Sequence, residues 1–287
     1  TANYTTAIGT SCLAALTSGA DNVGLGYQCL DANTTGGNNT AAGSGALGQN
    51  TTASDNTAFG FIALTANTTG ANNVAIGSEA CRNITTGSKH VGIGYRALYS
   101  GQTNSNNIAI GYEALYANTG GSTMVAIGYR AQKHSTGADN VAVGGHVMEV
   151  SGSTGGYNTA IGTQAMSAHT TGAFNTVIGR QAAQDLTTAS NTIAVGSGAL
   201  TNLTTGIQNT AVGSAALSTT TTSSNNTAVG YAALNVNTTG SHNVAIGGLA
   251  LDANTTADNN VAIGYQALTN NSTGTANTAI GRLALAQ

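Results

Sequence analysis

Asn260-Val261-Ala262-Ile263-Gly264 repeats a phrase already written by Asn243-Val244-Ala245-Ile246-Gly247 and, far upstream, by Asn73-Val74-Ala75-Ile76-Gly77. Its glycine recurs at Gly9, Gly26, Gly43, Gly60, Gly77, Gly94, Gly111, Gly128, Gly144, Gly162, Gly179, Gly196, Gly213, Gly230, Gly247, Gly264 and Gly281. The step is 17 residues except on either side of Gly144, where steps of 16 and 18 cancel. A fixed period of this size marks stacked repeats that bury a core only against their neighbours. It predicts an elongated surface rather than a pocket.

Counting the Asn of the phrase as position 1, the unit reads Asn-[Thr/Val]-Ala-[Ile/Val]-Gly-x-x-Ala-Leu-x-x-Asn-Thr-Thr-Gly-x-x. Position 2 is Thr, Val or Ile throughout, and position 4 is Ile or Val apart from Leu25, Ala42 and Phe59. Position 3, between them, is Ala or Gly apart from Val177. Alternation with β-branched residues on one face predicts a short strand over positions 2 to 5. Neither face carries the Lys, Glu and Gln of a solvated surface, so both are expected to be covered. Positions 6 to 9, a variable pair followed by Ala-Leu, read as a second, outer strand with one wet side. Positions 12 to 17 read as the return turn, rich in Asn, Thr and Gly; both length irregularities fall there.

The fold expected is all-β: a parallel β-roll or β-solenoid of seventeen 17-residue coils, one repeat array over residues 1–287 with no separate catalytic domain. Coils ~4.8 Å apart would give a rod of about 80 Å. A coil this thin shelters few side chains, and oligomerisation is the usual remedy when one chain cannot build a sufficient core. The small residues at position 3, represented by Ala75, Ala109, Ala126, Ala211, Ala245 and Ala262, are expected to face the axis of an oligomer.

Stacking brings equivalent positions together. Glu79, Arg96, Glu113 and Arg130 hold position 7 of four successive repeats with alternating sign, and Tyr95, Tyr112 and Tyr129 hold position 6 of three. Opposite charges on adjacent strands contribute ~0.2–1 kcal/mol a pair. These seven residues form the candidate contact surface, although stacking between coils alone is enough to explain them.

Charged residues are 6% of the chain and aromatics 5%, with no Trp or Pro, net charge −3 and seven Lys or Arg. Disorder has no reason to hold Ile every seventeenth residue, and so few cations leave no phosphate-neutralising footprint, so no nucleic-acid partner is expected. There is no apolar run of eighteen residues, so no membrane insertion is expected of this segment, and no signal-peptide pattern. Cys12 and Cys29 replace the Ala of position 8 and Cys81 the Leu of position 9. Buried thiols acting as compact hydrophobes and a Cys12–Cys29 disulfide between neighbouring coils both fit.

Catalytic groups are scarce. His90, His134, His146, His169 and His242 occupy different repeat positions, and His146 with Glu149 falls short of the three or four ligands a structural metal wants. Gly24-Leu25-Gly26 and Gly92-Ile93-Gly94 belong to the repeat rather than to a dinucleotide loop. No enzyme activity, cofactor or metal is expected. Asn33-Thr34-Thr35 and Asn67-Thr68-Thr69 match the N-glycosylation acceptor in a chain rich in both residues. The Thr columns of positions 13 and 14 invite an ice-binding reading, although they lie in the turn.

The Asn-Val-Ala-Ile-Gly copies at 73–77, 243–247 and 260–264 resemble the head repeats of trimeric autotransporter adhesins of the YadA type, and Asn-Thr-Ala-Val-Gly with an Asn-Thr-Thr-Gly spacer is similar to phage tail-fibre repeats. The resemblance covers essentially the whole chain. It implies a left-handed parallel β-roll, three chains around an axis, and the repeat Asn in a left-handed turn. The period of 17 departs from the shorter unit of such heads, and no neck, stalk or anchor barrel is present. The function expected is an extracellular structural or adhesive fibre shaft of a cell surface or virion. It would associate with itself as a homotrimer, and a host surface or glycan is a candidate partner. A self-assembling filament without a receptor is the alternative, and ice binding a third. The chain begins mid-repeat without Met, and its first and last phrases, Thr6-Ala7-Ile8-Gly9 and Asn277-Thr278-Ala279-Ile280-Gly281, are as regular as the rest. That regularity, up to the closing Ala284-Leu285-Ala286-Gln287, leads one to expect missing flanking domains or end-to-end assembly.

Overall fold

The computed structural model describes residues 4–101 and 103–286; Gln287 of the closing stretch lies outside them. It is a parallel β-solenoid with seventeen three-residue strands and no helix among the described residues. The chain divides into two compact units, Thr1–Asp139 and Asn140–Gln287. The division falls within the 16-residue step between Gly128 and Gly144. The first unit holds β1 (Thr6–Ile8) to β8 (Val125–Ile127), and the second β9 (Val141–Val143) to β17 (Thr278–Ile280). Within each unit successive strands pair in parallel, position on position: Val74 opposite Val91, Ala75 opposite Gly92, Ile76 opposite Ile93. The one 18-residue step is absorbed outside the strands, since Thr159, Ala160 and Ile161 still face Val141, Ala142 and Val143.

The strand faces are the reverse of the sequence expectation. Ala75, Ala109, Ala126, Ala211, Ala245 and Ala262 have no exposed surface in the single chain; they point into the coil, not toward an axis between chains. The β-branched side chains at positions 2 and 4 point outward and are half-buried or exposed. The physical reason is thickness. The interior must also take the buried Ala of position 8, the Leu of position 9 and an Asn at positions 1 and 12, which leaves room for little more than a methyl opposite them, Val177 being the one larger side chain of the column.

Positions 6 to 9 form turns rather than a second strand. Positions 7 and 9 have left-handed backbones, as at Arg96 (φ 52°) and Leu98 (φ 51°). The amide of Arg96 donates to Ser78 O of the preceding coil (3.1 Å), that of Ala97 to Gly94 O of its own (3.3 Å), and that of Leu98 to Ala114 O of the next (2.9 Å). The zigzag bonds each coil to both neighbours, which offsets the ~1–2 kcal/mol that a left-handed L-residue costs.

The Gly of position 5 is fixed by approach as well as conformation. Gly94 has φ 126°, and a Cβ on it would lie 2.6 Å from Gly111 O. The repeat Asn is not the residue in the left-handed turn, contrary to what the resemblance implies. That conformation belongs to position 17 just before it, whether Asn38 (φ 58°), Lys89 (φ 60°) or Phe174 (φ 60°).

The buried Asn of position 1 clamps two coils. Asn56 Oδ1 accepts the amide of Asn73 (3.0 Å) while its Nδ2 donates to Gly70 O (2.9 Å). The Asn of position 12 closes the return turn from inside, as when Asn67 Nδ2 donates to Gly70 O (2.9 Å). His90 takes over the position 1 clamp: its Nδ1 accepts the amide of Asn107 (3.3 Å) and its Nε2 donates to Asn104 O (2.8 Å). His169 stands at position 12, with Nε2 2.7 Å from Gly172 O.

Candidate functional site

The candidate ladder lies wholly in the first unit. Tyr95, Tyr112 and Tyr129 stack on successive coils, with ring centroids 5.4 and 5.3 Å apart. Beside them Arg96 binds Glu79 (3.2 Å) and Arg130 binds Glu113 (3.2 Å), each across one coil step. A third column, at position 10, completes the site and was not singled out from sequence. Arg82 binds Glu79 (3.0 Å), Lys133 binds Glu113 (2.7 Å), and Tyr99 and Tyr116 stack at 5.0 Å between those cations. The signal for it was present, since Arg82, Tyr99, Tyr116 and Lys133 also recur at one position of four successive repeats.

The columns lock together. Arg96 lies 4.9 Å from the Tyr95 ring centroid and 5.6 Å from that of Tyr99. Arg130 and Lys133 stand at 5.2 and 5.5 Å over Tyr129 and Tyr116. Stacked pairs contribute ~0.5–1.5 kcal/mol and exposed cation–π contacts ~0.5–1. Burial alone would raise the Glu79 and Glu113 carboxyls. For Glu79 the hydrogen bonds and charges of Arg96 and Arg82, and for Glu113 those of Lys133 and Arg130, outweigh it and hold both below the usual carboxylate range. Four cations against two carboxylates leave the cluster with a net charge of +2 on a chain of net −3. The ring faces are spent on each other and on the cations. What the ladder offers outward is ring edges, phenol hydroxyls and an excess of positive charge.

The other candidates are placed as follows. His146 Nδ1 hydrogen-bonds Glu149 Oε2 beside a shallow groove lined by Val150, Gln164 and Ser167. Among the described residues no group of three or more His, Cys, Asp or Glu is placed to hold a metal ion. Cys12, Cys29 and Cys81 are free thiols. Burial pushes those of Cys29 and Cys81 up to about 12, and Cys29 Sγ donates to Ala41 O (3.2 Å).

Asn33 and Asn67, the acceptors of the two glycosylation triplets, are fully buried, with Nδ2 engaged by Gly36 O and Gly70 O (2.9 Å each). The position 13 threonines turn their hydroxyls to the next coil, as Thr34 does to Thr51 O (3.0 Å) and Thr187 to Thr204 O (3.0 Å). Among the described residues no helix is long and apolar enough to cross a membrane. No family model, curated protein or solved structure matches this chain.

Proposed function

We propose that the chain is a structural and adhesive fibre element that associates with copies of itself, three around an axis, through the outward strand face. It works outside the cell, at a cell surface or on a virion, and performs no catalysis. One observation carries the reading: the face built from positions 2 and 4 holds Thr, Val, Ile, Leu, Phe and Ala and not one charged residue in seventeen copies. Ile76 in the first unit and Ile246 in the second each remain 39% exposed in the single chain. Eight strands ~4.8 Å apart, each three residues at ~3.3 Å, make a stripe of roughly 400 Å² on the first unit. A continuous stripe of that footprint without a single charge is a candidate association surface. The resemblance to YadA-type heads points the same way.

Sedimentation of the protein tests the reading. Wild type is expected to sediment as an oligomer. The double variants Ile76→Lys/Ile127→Lys and Ile178→Lys/Ile246→Lys are expected to dissociate while keeping the wild-type far-UV spectrum, because these side chains lie outside the core. A monomeric wild type, or variants that stay associated, would overturn it.

A further inference from the structure

The coil built on Gly43 is stripped of side chains on its outer rim. Positions 6, 7 and 10 are Ser44, Gly45 and Gly48, whereas the coils on either side carry Tyr27, Gln28 and Asp31, and Phe61, Ile62 and Thr65. The backbone follows the common path, with the Gly45 amide on Tyr27 O (2.9 Å) and the Gly48 amide on Gly45 O (3.2 Å). The missing side chains therefore leave a groove one coil wide, of about 280 Å³, floored by Gly45 and Gly48 and walled by Gln28 and Asp31 against Ile62 and Thr65.

Neither glycine is demanded by the backbone. Gly45 has φ 67°, but Ile62, Glu79 and Arg96 hold the same position at φ 46°, 58° and 52°. At Gly48 φ lies outside the left-handed region. A Cβ at Gly45 would meet only the tip of Ile62, at 3.0 Å. What the two glycines provide is room.

Tyr27 and Phe61 occupy position 6, the position whose rings stack at 5.3–5.4 Å where three tyrosines follow one another. They stand two coils apart, ~9.6 Å, with only Ser44 between them. A flat ring inserted over Ser44 would sit ~4.8 Å from each neighbour's plane, close to where Tyr112 sits between Tyr95 and Tyr129. Both side chains are more than half exposed, Tyr27 at 54% and Phe61 at 56%. The slot between these two rings lies one residue along the rim from the groove, which is itself lined by a carboxylate (Asp31), two amides (Gln28, Gln49), a hydroxyl (Thr65) and the Ile62 side chain. Aromatic walls beside convergent acceptors and donors match the C–H face and the hydroxyl edge of a sugar, and the volume is at the small end for ligand sites.

We infer that this groove binds a pyranose ring of a neutral glycan, between Tyr27 and Phe61 and with its hydroxyls on Asp31 and the amides. The site lies beyond the Gly that ends the strand, so it does not rest on the strand-face association, which sedimentation reads separately.

The test titrates the intact protein with cellotriose, chitotriose and lactose, followed by tyrosine fluorescence and by NMR saturation transfer from aromatic protons. Binding of at least one sugar at millimolar concentration or tighter is expected, with transfer to ring C–H protons. Filling the groove by Gly45→Gln with Gly48→Thr should weaken it at least tenfold, and Tyr27→Ser should do the same. These residue types already stand at the same positions in Gln164 and Gln266, in Thr65 and Thr201, and in Ser44 and Ser78, so melting should be unchanged. Absence of binding by all three sugars, binding that survives the filled groove, or binding of indole in place of the sugars would overturn the assignment.

Discussion

Gly24 and Gly92 are the two glycines in a column otherwise filled by alanine and one valine, and each lies against a cysteine. A Cβ on Gly24 would come within 2.5 Å of Cys12 Sγ, and one on Gly92 within 2.3 Å of Cys81 Sγ. At these two places the next coil gives up a methyl to make room for the sulfur, whereas Cys29 lies against Ala41. Gly24→Ala and Gly92→Ala should each cost ~1–3 kcal/mol by overpacking. In the backgrounds Cys12→Ala and Cys81→Ala, respectively, that penalty should largely vanish. Denaturant melts of the four members of each cycle measure the coupling, and additive effects would mean that glycine and sulfur are unrelated. Sequence register was enough to mark all three cysteines as inward-facing hydrophobes. It left the Cys12–Cys29 bridge open, because the direction in which a side chain crosses from one coil to the next has no trace in spacing alone.

A strand of three residues is too short to hold a sheet by itself, and the asparagine ladders supply the difference. Each clamp satisfies an amide and a carbonyl that would otherwise be buried unpaired, at ~1–3 kcal/mol apiece. His90 does this work only while neutral, because a protonated Nδ1 would face the Asn107 amide donor-to-donor. Burial lowers the pKa of His90 and of His169, against the hydrogen bonds to Asn104 and Gly172, respectively, which raise it. The folded value thus lies below the unfolded one, about 6.5. The unfolded chain takes the proton first, so the stabilisation is complete above pH ~6.5 and is lost as pH falls through the folded value. Melting temperatures should therefore drop as pH falls below about 6.5, and His90→Asn/His169→Asn, which restores the ladder residue, should flatten the drop. An equal drop in the double variant would refute the assignment. Glu79 and Glu113, whose pKa values are also depressed, give up their contribution only below about pH 4.3, which keeps the two windows apart.

At this same scale the strand and the charged column were legible, since both follow from periodicity, although the strand covers positions 2 to 4 and stops before the Gly of position 5. The turn over positions 6 to 9 was not. Glu79, Arg96 and Leu98 are ordinary residues that give no sign of a left-handed backbone, and only the coil-to-coil amide pattern reveals why they adopt it.

For the whole molecule, the period was readable to the residue but inside and outside were not. Alanine opposite isoleucine gives two apolar faces, and composition cannot say which is covered by the same chain. Volume decides it, because a thin coil has space for the methyl. Ala126→Glu or Ala245→Glu should therefore unfold the coil around it rather than merely separate chains, a buried unpaired charge costing several kcal/mol. Differential scanning calorimetry should show a marked fall in melting temperature for each, and a wild-type melt would restore the original assignment of that face.

Within each unit, among the described residues, the backbone bonds between coils join a residue to its counterpart 17 places on or a near neighbour of it, and each strand pairs only with the ones before and after it in that unit. Excision or duplication of one complete period therefore reproduces the same junction it interrupts. A change by any other number of residues must be absorbed in the return turn, as at Gly144, or it pulls the glycine column apart. The gene for such a chain can lengthen or shorten its product one coil at a time without inventing a new contact, so reach becomes a heritable dimension that varies in increments of one strand spacing. Selection on distance then acts on copy number, while selection on recognition acts on the few outward positions that each coil leaves free.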